Sequence, residues 1–189
     1  MARTTSDEAL AGRYVLASSA SHLLHRAEQL AAECFAELSK NELTLRQFAA
    51  LAAIAGEPGL SQTALVRVTG IDRSTLADMM SRMEERGLVT RTASAADARA
   101  LSIQLSQAGA AILRSMDKNA RAADAAVLDL LTKPKRRAFL ATLIKLSKLA
   151  DERAQRLERE AKRQAKRQAK RQSRAESDGA KRKSHRKHA

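Results

Sequence analysis

Two short amphipathic segments joined by a glycine-bearing turn are the feature that most constrains this chain. The first covers about residues 61–69, and the second begins after Asp72 and ends near Gly87, with Gly70 and Ile71 in the turn. Asp72 can accept hydrogen bonds from the free backbone N–H groups of a first helical turn, and a glycine favours the left-handed conformation that ends a helix. The pattern predicts a helix-turn-helix. The predicted inward positions, at helical spacing, are Ala64, Leu65, Val68, Leu76, Met79, Met80 and Met83.

The outer face of the second segment carries short polar residues and arginines. In a helix-turn-helix such a face enters the major groove of DNA, while the first helix lies across the backbone. Asp78 suits this role poorly because phosphates repel a carboxylate; it can accept from a cytosine amino group or pair with Arg82, and the pair is the favoured interpretation. The candidate DNA-contacting residues of the two helices are Ser61, Gln62, Arg73, Ser74, Thr75, Ala77, Asp78 and Arg82.

A strand-like hairpin follows the second helix. Residues 101–105 alternate apolar and polar side chains, as a half-buried strand does, and residues 88–92 supply the other arm. The connecting tip is small and polar, and Arg91 is placed to meet a phosphate. The hairpin predicts a wing, so the expected fold is mainly α with a small β-hairpin, a winged helix-turn-helix.

The chain resembles the MarR family of winged-helix transcriptional regulators. Four stretches carry the resemblance, in order and spacing: residues 70–76, residues 83–89, an Asp97-x-Arg99 wing, and Leu105-Ser106-x-x-Gly109. The resemblance covers about residues 10–152. It implies a homodimer whose recognition helices enter major grooves and whose wings reach flanking minor grooves. It also implies a small ligand or an oxidant that releases the DNA.

The resemblance assigns further residues to roles. Arg99 is the expected minor-groove probe, since a narrow A·T-rich groove attracts arginine, and Asp97 supports the wing. Ala98 stands where wings of the family often carry a second basic residue. This wing is therefore expected to contribute less to DNA binding than is usual in the family. The family's effector cleft implies a small aromatic or anionic ligand near four residues: His22, His25, Arg26 and Arg46.

Helical segments on both sides of this lobe complete the expected domain. The first contains the Ser18–Ser21 run, where a break or kink is expected, and Thr44 with Gln47 can form a capping box. Ser106 and Pro134 begin two later helices with apolar stripes that suit dimerisation. The predicted boundaries are a disordered 1–8, a winged-helix domain at 9–152 with its DNA-binding lobe at about 44–105 and dimerisation helices at about 9–40 and 106–152, and a basic tail at 153–189.

The tail holds most of the positive charge. Residues 153–189 contain 15 Lys and Arg against four acids, whereas the whole chain of 189 residues has a net charge of +14. A helix that gives way to disorder by Ser173 is expected there. A basic segment suggests nucleic acid first and an acidic membrane surface second. A sequence-tolerant architectural DNA-binding protein, driven by the tail, is therefore an alternative function.

Several classes of protein are disfavoured. The single cysteine, Cys34, cannot form an intramolecular disulfide, and it is interpreted as a buried, inert thiol; a redox-sensing regulator through Cys34 is the second alternative. No nucleophile elbow, phosphate loop or metal-ligand quartet points to an enzyme, and no metal or cofactor is expected. No apolar run approaches a membrane span or a signal peptide, so a cytoplasmic protein is expected.

Overall fold

The computed structural model of the protein describes residues 14–93 and 101–186. The expected disorder of residues 1–8 lies outside the described residues. So does the wing tip, with Asp97 and Arg99. The described elements comprise six helices longer than one turn and a small antiparallel sheet.

The first long helix, α1, spans Ala20–Ser39 and follows a single 3-10 turn at Leu16–Ser18. Ser19 separates the two and caps α1, because its side chain accepts a hydrogen bond from the backbone N–H of His22. The break expected near Ser18–Ser21 is confirmed. At the other end Lys40 adopts a left-handed conformation (φ 50°) and stops the helix.

The helix-turn-helix is confirmed. Helix α2 spans Leu45–Gly56 behind the predicted Thr44 and Gln47 capping box, α3 spans Gln62–Thr69, and α4 spans Arg73–Glu85. Ser61 caps α3 by accepting from the N–H of Ala64, and Gly70 (φ 70°) turns the chain between α3 and α4.

The sheet has three strands, one more than the sequence predicts. Strand β1 is Leu60–Ser61, β2 is Val89–Ala93 and β3 is Leu101–Leu105, in the order β1-β3-β2 with both pairs antiparallel. The pairs of Leu60 with Ile103 and of Val89 with Leu105 fix the register. A strand of two residues has no periodicity of its own, so no sequence pattern announces β1.

Helix α5 spans Gln107–Asp129. Its first turn packs closely against the backbone of Leu88, in the turn that follows α4. Ser106 caps α5 through the N–H of Gly109, and its hydroxyl also donates to the carbonyl of Gly87 (2.5 Å). A Cβ added at Gly109 would lie 1.9 Å from the carbonyl oxygen of Leu88. The Ser106-x-x-Gly109 spacing therefore combines a cap with a position where no side chain fits.

The core lies inside the lobe and extends along α1 and α5. One sequence prediction about it is wrong: Val68 is 55% exposed, although its spacing predicts an inward position. The buried face of α3 is narrower than the spacing of its apolar residues predicts, because Leu65 is the one residue of that helix that is fully buried. The core consists of Phe35, Leu43, Ala50, Leu51, Ile54, Leu60, Leu65, Ile71, Leu76, Met79, Met80, Met83, Leu88, Val89, Ile103, Met116 and Ala123.

The last helix, α6, spans Lys133–Arg186, and from Arg137 onward it forms a separate unit. Pro134 lies in its first turn, as predicted. The backbone is helical past Ser173, the residue where the sequence predicted the helix to give way to disorder. Residues 161–172, just before Ser173, consist only of alanine, lysine, arginine and glutamine, and all four favour helix. Among the described helices, none has a stretch apolar and long enough to cross a membrane.

Candidate DNA interface

Helix α4 divides into a buried face and a polar face. Leu76, Met79, Met80 and Met83 are buried against the core, and they hold the helix in place. The opposite surface is open to solvent over the length of the helix. Its exposed residues are Arg73, Ser74, Asp78 and Arg82, while Thr75 and Ala77 are half-buried at its edge.

The first turn of α4 is organised by Asp72. Its Oδ1 accepts from the backbone N–H of Thr75 (2.9 Å) and from the hydroxyl of Ser74 (2.7 Å). Hydrogen bonds from the Thr75 side chain, the Thr75 backbone and the Ser74 side chain lower the pKa of Asp72 well below its usual range. The carboxylate thus stays ionised, and Ser74 and Thr75 are fixed at the end of the helix that meets DNA first in a helix-turn-helix.

Arg73 links the two helices of the motif. Its guanidinium donates to the Thr63 hydroxyl of α3 (3.3 Å) and is otherwise exposed. A guanidinium has five N–H donors, so the bond to Thr63 leaves donors for a phosphate or a guanine edge. Ser61 and Gln62, at the start of α3, are half-buried beside this turn.

The predicted pair between Asp78 and Arg82 is not found. Within residues 14–93 and 101–186, no ion pair or hydrogen bond joins the two side chains, and both are exposed. An exposed i,i+4 pair stabilises a helix by only about 0.2–0.5 kcal/mol, so the spacing does not determine whether it forms. Asp117 and Arg121 form such a pair on α5, whereas Asp78 and Arg82 do not form one on α4. Asp78 therefore stays an open acceptor on the recognition face.

Arg91 of β2 is held in place by α4, the second helix of the helix-turn-helix and hence its recognition helix. Its guanidinium donates to Glu84 of α4 (Nη2 to Oε2, 2.6 Å; Nε to Oε2, 2.8 Å) and to the hydroxyl of Ser81 (3.1 Å). The Arg91 side chain is only 19% exposed. These contacts tie the first strand of the wing to the C-terminal half of α4, so the guanidinium that was predicted to meet a phosphate has protein partners.

A cleft of about 460 Å³ lies between α1, α2 and the turn before α4. Across it, Arg46 Nη2 donates a hydrogen bond to Glu28 Oε1 at 2.8 Å. Because Asp72 is part of the lining, a molecule in this cleft would touch the cap of the recognition helix. The cleft is lined by Glu28, Leu45, Arg46, Ala49, Thr69, Gly70, Ile71 and Asp72.

Of the four predicted effector residues, only Arg46 lines this cleft. His25 is next to it, with Nδ1 4.0 Å from Glu28 Oε2, whereas His22 and Arg26 lie on α1 outside the lining. Cys34 is half-buried against the core. In the described part of the chain, no group of three or more His, Cys, Asp or Glu side chains could hold a metal ion.

Sequence reasoning missed the partners of these arginines. Glu28 and Arg46 are 18 residues apart, and Glu84 and Arg91 are separated by the turn into the wing. The two members of each pair lie on different elements, so no pattern within a single helix or strand marks them. Only the charge complementarity of two acids and two arginines could have suggested them.

Comparisons with known proteins agree with this geometry. The MarR family profile matches residues 42–100, which hold the helix-turn-helix. The structure of the Mycobacterium tuberculosis MarR family protein Rv2887 in complex with salicylic acid is 32% identical, with a TM-score of 0.54 over 68% of this chain and 96% of that one. The chain belongs to the MarR family.

Other MarR relatives are regulators by name. Transcriptional regulator HosA of Escherichia coli O157:H7 is 44% identical over 72 residues, which are 38% of this chain and 53% of HosA. The chain thus spans about half the length of that curated relative. Bordetella bronchiseptica BpsR, whose DNA binding is regulated by 6-hydroxynicotinic acid, superposes with a TM-score of 0.66 and 28% identity over 72% of this chain and 98% of that one.

Proposed function

We propose that this MarR-family chain is a transcriptional regulator that binds a pseudo-palindromic duplex DNA operator as a homodimer and acts as a repressor. The polar face of α4 carries the proposal. Arg73, Ser74, Asp78 and Arg82 are exposed on a helix whose other side is fixed in the core. A rigid helix with an open face of arginines and short polar residues suits the major groove.

Exposed apolar side chains support the homodimer. On α1 and just before it, Leu16, Leu23 and Leu24 are each at least half exposed, and on α6 Ile144 and Leu149 are about half exposed. Burying a leucine side chain is worth about 1.5–3 kcal/mol, so exposed apolar side chains of this kind, taken for each unit by itself, favour a covering partner. A second copy of the chain is that partner, since a symmetric operator needs two recognition helices. Light scattering at micromolar concentration tests the dimer directly.

The cleft beside Arg46 supports release by a small aromatic carboxylate. Arg46 is the cation that such an anion would bind, and the neighbouring Leu45, Ala49 and Ile71 offer apolar contacts for a ring. The lining includes Asp72, so an occupant would press on the cap of α4. The ligand would release DNA if it binds more tightly to a dimer whose recognition helices are wrongly placed for DNA. Its difference in affinity for the two forms of the dimer then sets how far the DNA affinity falls.

The ion pair of Glu28 and Arg46 is expected to lower the affinity of the cleft for such a carboxylate. An incoming carboxylate competes with the Glu28 carboxylate, whose Oε1 lies 2.8 Å from Arg46 Nη2, for the positive charge of Arg46. Both side chains are about half exposed, so the pair is weak and can open. A ligand that leaves the Glu28–Arg46 pair intact, or that carries a hydrogen-bond donor for Glu28, is expected to bind in the cleft more readily than a simple anion.

Competition binding tests the proposed operator recognition. Labelled duplex from upstream of the chain's own gene competes with random duplex of the same base composition. The wild type is expected to prefer the upstream duplex by at least tenfold, and Arg73→Ala is expected to lose most of this preference. Arg121→Ala, which removes an exposed arginine of α5, is the matched control and should keep it. Equal affinity of the wild type for both duplexes would favour a sequence-tolerant architectural protein instead.

A further inference from the structure

The last helix carries a basic segment that operator recognition by α4 does not use. Residues 161–172 repeat Ala-Lys-Arg-Gln three times and contain six Lys and Arg with no acid. The ten residues before them hold four acids and three arginines, so the charge changes abruptly at Ala161. The match to BpsR spans 98% of that chain but 72% of this one, so more than a quarter of this chain lacks a counterpart there.

The basic side chains of the repeat that the structure describes lie in a regular row along the helix. All described side chains of the repeat, residues 161–168, are exposed on a continuous helix. Four residues of α-helix rise about 6 Å and turn slightly more than once, so each Lys-Arg pair follows the last along a slowly winding stripe. Evenly spaced identical charges suit a linear polyanion better than the irregular surface of a folded protein.

The free helix is stressed by its own charge. Lys162 and Lys166, and likewise Arg163 and Arg167, are like charges at i,i+4, an arrangement that destabilises a helix by about 0.2–0.5 kcal/mol a pair. Glu158 relieves the first of them, because its Oε1 lies 2.6 Å from Lys162 Nζ. No acid follows in the repeat itself, so an external anion is needed to neutralise the remaining pairs.

The composition of residues 161–172 favours duplex DNA over a lipid surface or a single-stranded nucleic acid as the polyanion that they bind. No large apolar residue follows Leu157, so the helix has no face to bury in a lipid surface. The segment has no aromatic residue on which unpaired bases could stack. We propose that residues 161–172 form a second DNA-binding element, which contacts the phosphates of duplex DNA without regard to sequence.

The test compares the full chain with a variant in which Lys162, Arg163, Lys166, Arg167, Lys170 and Arg171 are all replaced by Gln. Binding to a random duplex without an operator is measured between 50 and 200 mM salt. If all six charges meet phosphates, the log–log salt slope falls by about 5 per chain, and the wild type loses on the order of 10³-fold more affinity than the variant over this range. Changing the three lysines to Arg preserves charge and should preserve the slope.

Either of two binding results would overturn the proposal. One is an equal salt slope for the wild type and the six-Gln variant on random duplex. The other is that the six-Gln variant loses binding to anionic phospholipid vesicles while its DNA binding is unchanged. Helicity gives an independent readout by circular dichroism. Random duplex should raise the helicity of the wild type, because phosphates relieve the i,i+4 repulsion, and should leave that of the six-Gln variant unchanged. An identical response of both would also contradict the proposal. Since no operator is present, these results do not depend on operator recognition by α4.

Discussion

Arg91 on the first wing strand bonds Glu84 on the recognition helix through two guanidinium nitrogens, at 2.6 and 2.8 Å. Ser81, one turn earlier on the same helix, accepts a third bond from Arg91. The strand and the helix are therefore joined by side chains as well as by the turn between them. This connection fixes the direction in which the wing leaves α4.

A double-mutant cycle on Glu84→Gln and Arg91→Gln tests this brace. We expect a coupling of about 1 kcal/mol in the free energy of unfolding, measured with urea, because the pair is partly shielded from solvent. The exposed i,i+4 pair of Asp117 and Arg121 is the control, with a coupling of at most about 0.5 kcal/mol. On operator DNA, Arg91→Gln should leave the salt slope unchanged. A slope lower by about 0.9 would instead place Arg91 on a phosphate.

Gly109→Ala tests the close approach of α5 to Leu88. Alanine is the better helix former by about 1 kcal/mol, yet its Cβ would lie 1.9 Å from a backbone carbonyl oxygen that also accepts from Ser106. Displacing backbone costs more, so we expect a net loss of about 1–3 kcal/mol in the free energy of unfolding. Gly56→Ala, with nothing within 4 Å of its Cβ, is the matched control. Equal stability of the two variants would show that α5 does not pack in this way.

The cap at Asp72 predicts a pH dependence of stability. Its hydrogen bonds favour the carboxylate and lower its folded-state pKa, whereas the unfolded chain has a pKa of about 3.9. The stabilisation is therefore fully present above about pH 4 and is lost as the pH falls toward the folded-state pKa. The melting temperature of the wild type should exceed that of Asp72→Ala by a constant amount from pH 5 to 8, and the gap should shrink below pH 4. Asp72→Asn keeps an acceptor oxygen and should lose less; a gap independent of pH would exclude the charged cap.

Glu28→Gln tests the proposed competition between Glu28 and a ligand carboxylate for Arg46. The amide cannot pair with Arg46 as a carboxylate does, so salicylate should bind about tenfold tighter than to the wild type, by calorimetry on the free protein. Arg46→Gln should abolish this binding in either background. The exposed Glu33 of the same helix supplies the control Glu33→Gln, with unchanged affinity. Weaker binding to Glu28→Gln would mean that Glu28 contacts the ligand itself.

Local features of this fold were predictable, and contacts between distant residues were not. The caps at Thr44, Ser61, Asp72 and Ser106 each depend on residues three positions apart, which a sequence displays directly. The left-handed Gly87 (φ 67°) follows from the absence of a Cβ. The exposure of Val68 depends instead on which neighbours reach one edge of a short helix, and spacing within α3 carries no information about that.

The candidate site follows the same division. The polar residues of α4 were found from one helix because its buried stripe fixes its open face. The partners of Arg46 and Arg91 are carried by other elements, so their roles emerge only when the chain is folded. Asp78 and Arg82 show the converse: i,i+4 spacing permits a pair between exposed side chains, as for Asp117 and Arg121, but does not determine that one forms.

The most direct test of operator recognition is to sequence the duplexes that the full chain retains from a randomised pool at near-physiological salt. A homodimer with two recognition helices should enrich an inverted repeat whose half-sites are centred about 10 base pairs apart, and Arg73→Ala should erase the motif. Retention of duplexes with no enriched sequence, or with one unrepeated half-site, would contradict a symmetric dimer that reads bases through α4.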